Sequence, residues 1–108
     1  MSNAIEFVAF QLKKSVSRAT FLPVSDRFAR EFLARQPGYI SRKLLSKDDL
    51  WADMVLWETE ADHLNAMEAS KEDAAAAEYL SMLNLSAKGS FYHLFSVEKT
   101  YDEPDALA

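Results

Sequence analysis

Four residues of one predicted β-hairpin have the chemistry to hold a planar or anionic ligand. Side chains alternate along a strand, so Trp51, Asp53 and Trp57 share one face of the hairpin's second strand. A reversal through Lys47-Asp48 places Arg42 directly across from Asp53. An Arg–carboxylate pair between two indole rings can bind such a ligand by stacking and charge-assisted hydrogen bonds. The alternative is an ordinary cross-strand ion pair with the tryptophans in the core or a dimer contact, and a register shifted by one residue would separate the group.

The histidines and tyrosines supply candidate proton-transfer groups. His93 stands among large apolar residues in the predicted last strand, where a buried imidazole could take a proton from a phenolic substrate. The alternative is a core histidine that is hydrogen-bonded to a neighbour. Tyr39, Tyr79 and Tyr92 could each present a hydroxyl to a pocket, although tyrosine is as often a core residue. We expect His63 at the surface of a helix.

Composition and charge exclude several classes of function. The chain of 108 residues suffices for one domain with a single modest core. Its formal net charge of −5 gives no electrostatic support for binding nucleic acid or an anionic membrane surface. Without cysteine there is no disulfide framework, thiolate metal site or thiol nucleophile. Since the sequence has neither a signal peptide nor an apolar run of about 18 residues, we predict a cytoplasmic protein without a membrane span.

Short motifs give no sign of a cofactor. The sequence has no Gly-rich phosphate loop and no G-x-S-x-G nucleophile motif. Its two histidines, His63 and His93, lie far apart and lack the spacing of a transition-metal site. We therefore predict neither a metal nor an organic cofactor.

The segments that position these residues follow the order β-α-β-β-α-α-β. Apolar periodicity, capping signals and turn residues predict strands at Ile5 to Leu12, Tyr39 to Ser46, Leu50 to Glu58 and Phe91 to Val97, and helices at about Thr20 to Arg35, Thr59 to Ala69 and Ser70 to about Asn84. Thr20 or Ser25 is the predicted cap of the first helix, because Pro23 is tolerated only in a first turn. Pro37-Gly38 ends that helix.

This order is the split β-α-β plan of the α+β ferredoxin-like fold, a four-stranded antiparallel sheet with the helices on one face. We assign residues 1–99 to this domain and residues 100–108 to an acidic, loosely ordered tail. The first and last strands are apolar on both faces, so the face without helices must also be covered. We predict a homodimer in which two sheets pack face to face.

Three segments carry a resemblance to a known family. QPGYISR (36–42), LWADMVLWETEA (50–61) and FYHLF (91–95) are similar to the antibiotic biosynthesis monooxygenase-like family, a branch of the dimeric α/β-barrel superfamily. The resemblance covers roughly residues 5–98 and implies a dimeric barrel with a pocket between each sheet and its own helices. It also implies cofactor-free, quinone-forming monooxygenases, haem-degrading enzymes and small stress-response proteins as relatives.

The haem-degrading branch fits this sequence poorly. Its members carry an asparagine on the first strand, and a tryptophan and a haem-ligating histidine on the helices after the third strand. Here the first strand offers Gln11 at best, the helices between Thr59 and Asn84 lack tryptophan, and their histidine, His63, comes too early. The resemblance therefore does not extend to haem.

Two hypotheses of function follow. The first is a cofactor-free monooxygenase for an aromatic or quinol-like substrate, in which His93 and Tyr39 handle the proton and Arg42 stabilises negative charge. Trp51, Asp53, Trp57 and Tyr92 would contact the substrate. The second is a non-catalytic dimeric module that binds a small apolar ligand or serves as an accessory protein. The two differ in whether His93, Arg42 and a tyrosine line one cavity that solvent can reach.

Overall fold

The computed structural model describes residues 2–101, which form an antiparallel sheet with helices on one face. The elements are β1 (Ala4–Leu12), α1 (Arg18–Glu31), a 3-10 turn (Leu33–Arg35), β2 (Tyr39–Lys47), β3 (Leu50–Trp57), α2 (Glu60–Ser70), α3 (Ala74–Ser81), β4 (Leu83–Asn84) and β5 (Phe91–Ser96). Most of the predicted acidic tail lies outside the described residues. None of the helices in residues 2–101 has the length and apolar character needed to cross a membrane.

The sheet has the ferredoxin-like strand order that the sequence predicts. β3 lies between β2 and β1, and the other edge of β1 pairs with β5 along residues 4–9. The two-residue strand β4, which was not predicted, pairs with the end of β1 at Gln11 and Leu12. The predicted fold class is confirmed, with this short fifth strand added.

The hairpin of β2 and β3 differs from the prediction by two residues in register. Arg42 lies opposite Val55, and Asp53 lies opposite Leu44 rather than Arg42. The chain reverses at Asp48-Asp49, one residue later than the predicted Lys47-Asp48, and Asp48 has a φ of 54°. Since the side-chain period of a strand is two, this shift keeps Arg42 and Asp53 on one face as diagonal neighbours.

The first helix begins earlier than predicted. Ser17, rather than Thr20 or Ser25, is its N-cap, and the Ser17 hydroxyl accepts a hydrogen bond from the Thr20 backbone N–H at 3.2 Å. Pro23 consequently lies in the second turn, contrary to the expectation that it needs the first. The helix also ends before the predicted Arg35, because α1 stops at Glu31 and Leu33–Arg35 form the 3-10 turn.

The two later helices confirm one predicted cap and correct the other. Thr59 caps α2 by accepting from the Asp62 N–H at 3.1 Å, as predicted. Asp73, and not Ser70, caps α3 by accepting from the Ala76 N–H at 2.9 Å. Ser70 instead ends α2. The last helix stops before residue 84 because β4 pairs with β1 there.

The two faces of the sheet have different surroundings. The helix-facing side carries the core, including Phe10, Phe21 and Trp57. The opposite side, here called the open face, presents alternate residues of all the long strands. Its exposed large apolar side chains include Leu45, Leu50, Phe91 and Phe95.

Candidate active site

A cavity of about 360 Å³ lies between the sheet and the helices. Most of its wall is apolar, and the lining residues are Glu6, Val8, Ala9, Phe28, Leu33, Asp53, Val55, Met67, Tyr79, Leu80, Leu83, Leu85, Ser90, Phe91 and Tyr92. Its side-chain polar groups come from Glu6, Asp53, Tyr79, Ser90 and Tyr92. An apolar cavity of this size with few polar groups is typical of a binding site for a small organic molecule.

A smaller cavity of about 130 Å³ adjoins the first. The two share part of their lining, Glu6, Phe28, Leu33, Met67 and Leu80. Trp57 and His63 line only the smaller cavity. Glu6 lines both cavities and contacts Trp57 and His63, so it links the polar residues of the smaller cavity to the larger one.

The first polar cluster joins β2, β3 and α3. The Arg42 Nε donates to Asp53 Oδ1 at 2.7 Å, and Arg42 Nη2 donates to the Tyr79 hydroxyl oxygen at 3.0 Å. The Tyr79 hydroxyl donates to Asp53 Oδ2. Arg42 Nη1 reaches the Ser25 carbonyl of α1 at 3.3 Å. All three side chains of this Arg42–Asp53–Tyr79 cluster are therefore committed to one another.

The electrostatics of this cluster favour a neutral Tyr79 beside an ion pair. Burial raises the pKa of the Asp53 carboxyl, and the Arg42 guanidinium opposes that shift. Burial acts to lower the pKa of Arg42, but Asp53 and Tyr79 together raise it above its ordinary value. Burial, and next the Asp53 charge, raise the pKa of Tyr79 far above its ordinary value of 10.0. Tyr79 therefore keeps its proton at neutral pH and remains a hydrogen-bond donor.

The second polar cluster joins β1, β3, α2 and β5. The fully buried imidazole of His63 has its Nε2 2.7 Å from the Tyr92 hydroxyl and its Nδ1 3.1 Å from Glu6 Oε1. The Trp57 indole N–H donates to the same Glu6 oxygen at 3.2 Å. The Nδ1 contact is close enough for an ion pair but poorly aligned, so Nδ1 has no hydrogen-bond partner among residues 2–101. We interpret it as an electrostatic contact.

Tyr92 completes this Glu6–His63–Tyr92 cluster at the wall of the larger cavity. Its ring is half-exposed, and its hydroxyl also lies 3.6 Å from the sulfur of Met67. Burial raises the pKa of Tyr92, and the negative charges of Glu6 and Glu60 raise it further. Tyr92 is thus the predicted substrate-binding residue that has both a cavity position and an acid–base partner.

His93 does not lie where the sequence predicted it. It is exposed on the open face, opposite Phe7 and between the rings of Phe91 and Phe95 at centroid distances of 4.9 and 5.7 Å. The prediction of a buried imidazole is wrong because the last strand is apolar on both faces, so alternation alone cannot say which set of residues faces the helices. A catalytic role for His93 stays a prediction, and it would require chemistry on the open face.

The remaining predicted residues are close to the cavities without all lining them. Asp53 lines the larger cavity and Trp57 the smaller one, whereas Arg42 lies behind Asp53 and Tyr79. Tyr39 packs edge-on against Trp57 at 6.0 Å.

Trp51 lies in the core beneath the helices. Its ring packs against Phe21 at 5.0 Å, and the Arg18 guanidinium lies 5.1 Å from its centroid. The condition that His93, Arg42 and a tyrosine share one cavity is not met.

Glu6 and His63 are site residues that the sequence reasoning missed. A charge in the middle of an apolar strand, as at Glu6, is a signal because an isolated buried carboxylate needs a partner. His63 lies one turn after the Thr59 cap and three residues before the buried Ala66, which is the spacing of an inward-facing helical stripe. Among residues 2–101, no group of three or more His, Asp or Glu side chains is arranged to hold a metal ion.

Comparisons with known proteins place the fold. No protein-family profile matches the chain, and no curated protein is significantly similar to it in sequence. Among solved structures, SnoaB, a cofactor-independent oxygenase from Streptomyces nogalater, superposes with a TM-score of 0.75 at 23% identity, over 95% of this chain and 100% of SnoaB.

Two further structures show the range of proteins with this fold. The monooxygenase ActVA-Orf6 of Streptomyces coelicolor, in complex with nanaomycin D, has a TM-score of 0.65 at 16% identity over 94% of this chain and 93% of its own. A conserved protein from Methanosarcina mazei has a TM-score of 0.65 at 12% identity over 88% and 92%. The resemblance to antibiotic biosynthesis monooxygenase-like proteins is confirmed for the fold.

Proposed function

We propose that this protein is a cofactor-independent monooxygenase that binds a planar, quinol-like aromatic molecule in the cavity between its sheet and helices. The cavity carries this proposal. It has a volume of about 360 Å³, an apolar wall and polar groups concentrated at Glu6, Asp53, Tyr79 and Tyr92. The likeness in fold to an oxygenase and to a monooxygenase solved with nanaomycin D supports it by analogy.

The reaction is the oxidation of an activated CH₂ between aromatic rings to a carbonyl. Loss of one proton gives a carbanion that the adjoining rings delocalise, and this carbanion supplies the electrons that reduce dioxygen. One oxygen atom remains in the product as C=O, and the other leaves as water with the two hydrogens of the CH₂. The protein must bind the ring system, accept a proton and exclude bulk water.

The Arg42–Asp53–Tyr79 cluster shapes one wall of this site. Asp53 and Tyr79 face the cavity while Arg42 holds both from behind, so the wall is polar but internally neutralised. In this proposal Arg42 positions Tyr79 and Asp53, Trp57 orients Glu6, and Trp51 supports the core below. The predicted homodimer would cover the open face and leave the cavity of each chain separate.

Ligand binding and turnover can be separated with one cavity-blocking variant. Leu80→Trp fills the cavity from α3, and Ala77→Trp places the same ring on an exposed position of that helix. We expect hydroxylated tricyclic aromatics to raise the melting temperature of the wild type and Ala77→Trp, but not of Leu80→Trp. Oxygen uptake with the bound compound should follow the same pattern.

Two outcomes would overturn parts of the proposal. Stabilisation without oxygen uptake by any bound compound would indicate a non-catalytic binding module, the second function that the sequence allowed. Equal stabilisation of Leu80→Trp and Ala77→Trp would show that the ligand binds outside the cavity.

A further inference from the structure

We propose that Tyr92, backed by His63 and Glu6, takes the proton from a hydroxyl group of the bound molecule, so that the cavity selects aromatic ligands with a phenolic hydroxyl. This inference rests on the proposed function of the same cavity and names its acid–base group. Tyr92 is the catalytic residue in this scheme because it lines the cavity. His63 and Glu6 are positioning residues that act through it.

The burial of His63 is the first observation. An imidazole with no exposed surface is held between a carboxylate and a phenol from three different elements, α2, β1 and β5. Apolar packing alone does not require a histidine at this place. Its Nδ1 is a buried polar nitrogen without a well-aligned partner among the described residues, and such an atom calls for a functional or structural reason.

The charges around His63 fix the direction of proton transfer. The Trp57 N–H donates to Glu6 Oε1, which requires that oxygen to be an acceptor. Because this oxygen lies 3.1 Å from Nδ1, it favours the tautomer with the proton on Nδ1. Nε2 is then the acceptor at 2.7 Å for the Tyr92 hydroxyl. Glu6 also stabilises the imidazolium that forms when Nε2 accepts a proton while Nδ1 keeps its own.

Tyr92 can pass a proton on but does not lose one by itself. Burial and the charges of Glu6 and Glu60, which face it from β1 and α2, raise its pKa. A ligand hydroxyl in the cavity gives its proton to the Tyr92 oxygen while the Tyr92 hydrogen moves to His63 Nε2. The result is a ligand phenolate, a neutral Tyr92 and a His63 cation beside the Glu6 carboxylate. Proton number and charge are balanced.

Ionisation of a bound chromophoric phenol tests this relay without turnover. We would titrate 4-nitrophenol with wild-type protein and compare its phenolate absorption with that of the free probe at equal pH. Tyr92→Phe removes the hydroxyl, and Glu6→Gln removes the charge in nearly the same shape. Tyr101→Phe is the matched control, since Tyr101 is exposed and lines neither cavity.

We expect the wild type and Tyr101→Phe to bind the probe mainly as phenolate. The phenolate-to-phenol ratio should fall about tenfold, which is one pKa unit of the bound probe, in both Tyr92→Phe and Glu6→Gln. An unchanged ratio in Tyr92→Phe overturns the relay and leaves the binding function intact. If the wild type binds neither 4-nitrophenol nor any tricyclic aromatic, the proposed function fails and the relay with it. Tyr92 is half-exposed, so its substitution by Phe keeps the fold and carries the test if Glu6→Gln does not fold.

Discussion

The buried ion pair between Arg42 and Asp53 is completed by hydrogen-bond partners that lie far away in the sequence. Arg42 and Asp53 come from one hairpin, but Tyr79 comes from α3 and the Ser25 carbonyl from α1. The sequence predicted that Arg42 and Asp53 share a face, because both have the required parity. It could not predict the third partner, since tyrosines at 39, 79 and 92 were equally plausible until the helices were placed.

Removing one partner of this pair should cost much more than removing both. Arg42→Met leaves the Asp53 carboxylate buried without its counter-ion, and we expect a loss of about 3–5 kcal/mol in the free energy of unfolding. The double variant with Asp53→Leu should be closer to wild type than to Arg42→Met. Urea unfolding of the two single variants and the double variant measures this coupling. Strictly additive losses would show that the two side chains are energetically independent.

Tyr79 should make stability fall at alkaline pH. Its folded pKa is raised above the ordinary value of 10.0, so above pH 10.0 the unfolded chain has lost a proton that the folded chain keeps. The unfolded state then binds fewer protons, and the free energy of unfolding decreases with pH by up to about 1.4 kcal/mol per unit from this group. Urea midpoints between pH 8 and 11 should decline less steeply in Tyr79→Phe. Parallel slopes would contradict the shift.

At the scale of elements, the four long strands and α2 were predicted to within one residue, whereas the caps of α1 and α3 were not. Side-chain alternation and a short reversal leave little freedom in where β2 and β3 begin and end. The observed pairing between them nevertheless differs from the predicted one by two residues. Ser17, Thr20 and Ser25 can each cap a helix. The expectation that Pro23 must lie in the first turn wrongly favoured Thr20 or Ser25. The sequence also did not determine which faces of β5 and α2 point to the core. His93 is therefore exposed and His63 buried, the reverse of what we expected.

The turn before β2 brings Gly38 directly against the start of α2. Gly38 has a φ of +82°, and a Cβ there would lie 2.6 Å from Asp62 Cβ at the start of α2. Gly89 has a similar φ of +89°, but a Cβ there would only touch Leu50 at 3.4 Å. Both substitutions carry the same backbone penalty of about 1 kcal/mol, because both glycines have a positive φ. The clash with Asp62 adds to it only at position 38, so we expect Gly38→Ala to be less stable than Gly89→Ala by more than about 1 kcal/mol. Thermal unfolding compares them, and equal losses would remove the steric explanation.

At the scale of the whole molecule, the open face is an apolar surface that a single chain leaves exposed. Phe91 and Phe95 are about half-exposed on the β5 edge of this face, and Leu45 is exposed on β2 at its other edge. A contiguous apolar surface of this kind marks an interaction site, and a second copy of the chain is our prediction for its partner. Its apolar character was predictable, because β1 and β5 are apolar at both parities.

One charge on this face should separate the subunits. Phe95→Glu places a carboxylate in the predicted contact, whereas Leu64→Glu places it on the outer side of α2 at similar exposure. We expect light scattering at micromolar concentration to give a dimer for wild type and Leu64→Glu, and a monomer for Phe95→Glu. A monomeric wild-type protein would contradict the dimer.

Oxygen transfer from isotopically labelled dioxygen decides whether this protein is a monooxygenase. Purified protein treated with a chelator would be incubated with a tricyclic quinol-like aromatic that it binds, and the product analysed by mass spectrometry. We expect one labelled oxygen atom per product molecule and no labelled product above background with Leu80→Trp. Binding in the cavity without any labelled product would contradict the proposed monooxygenase activity.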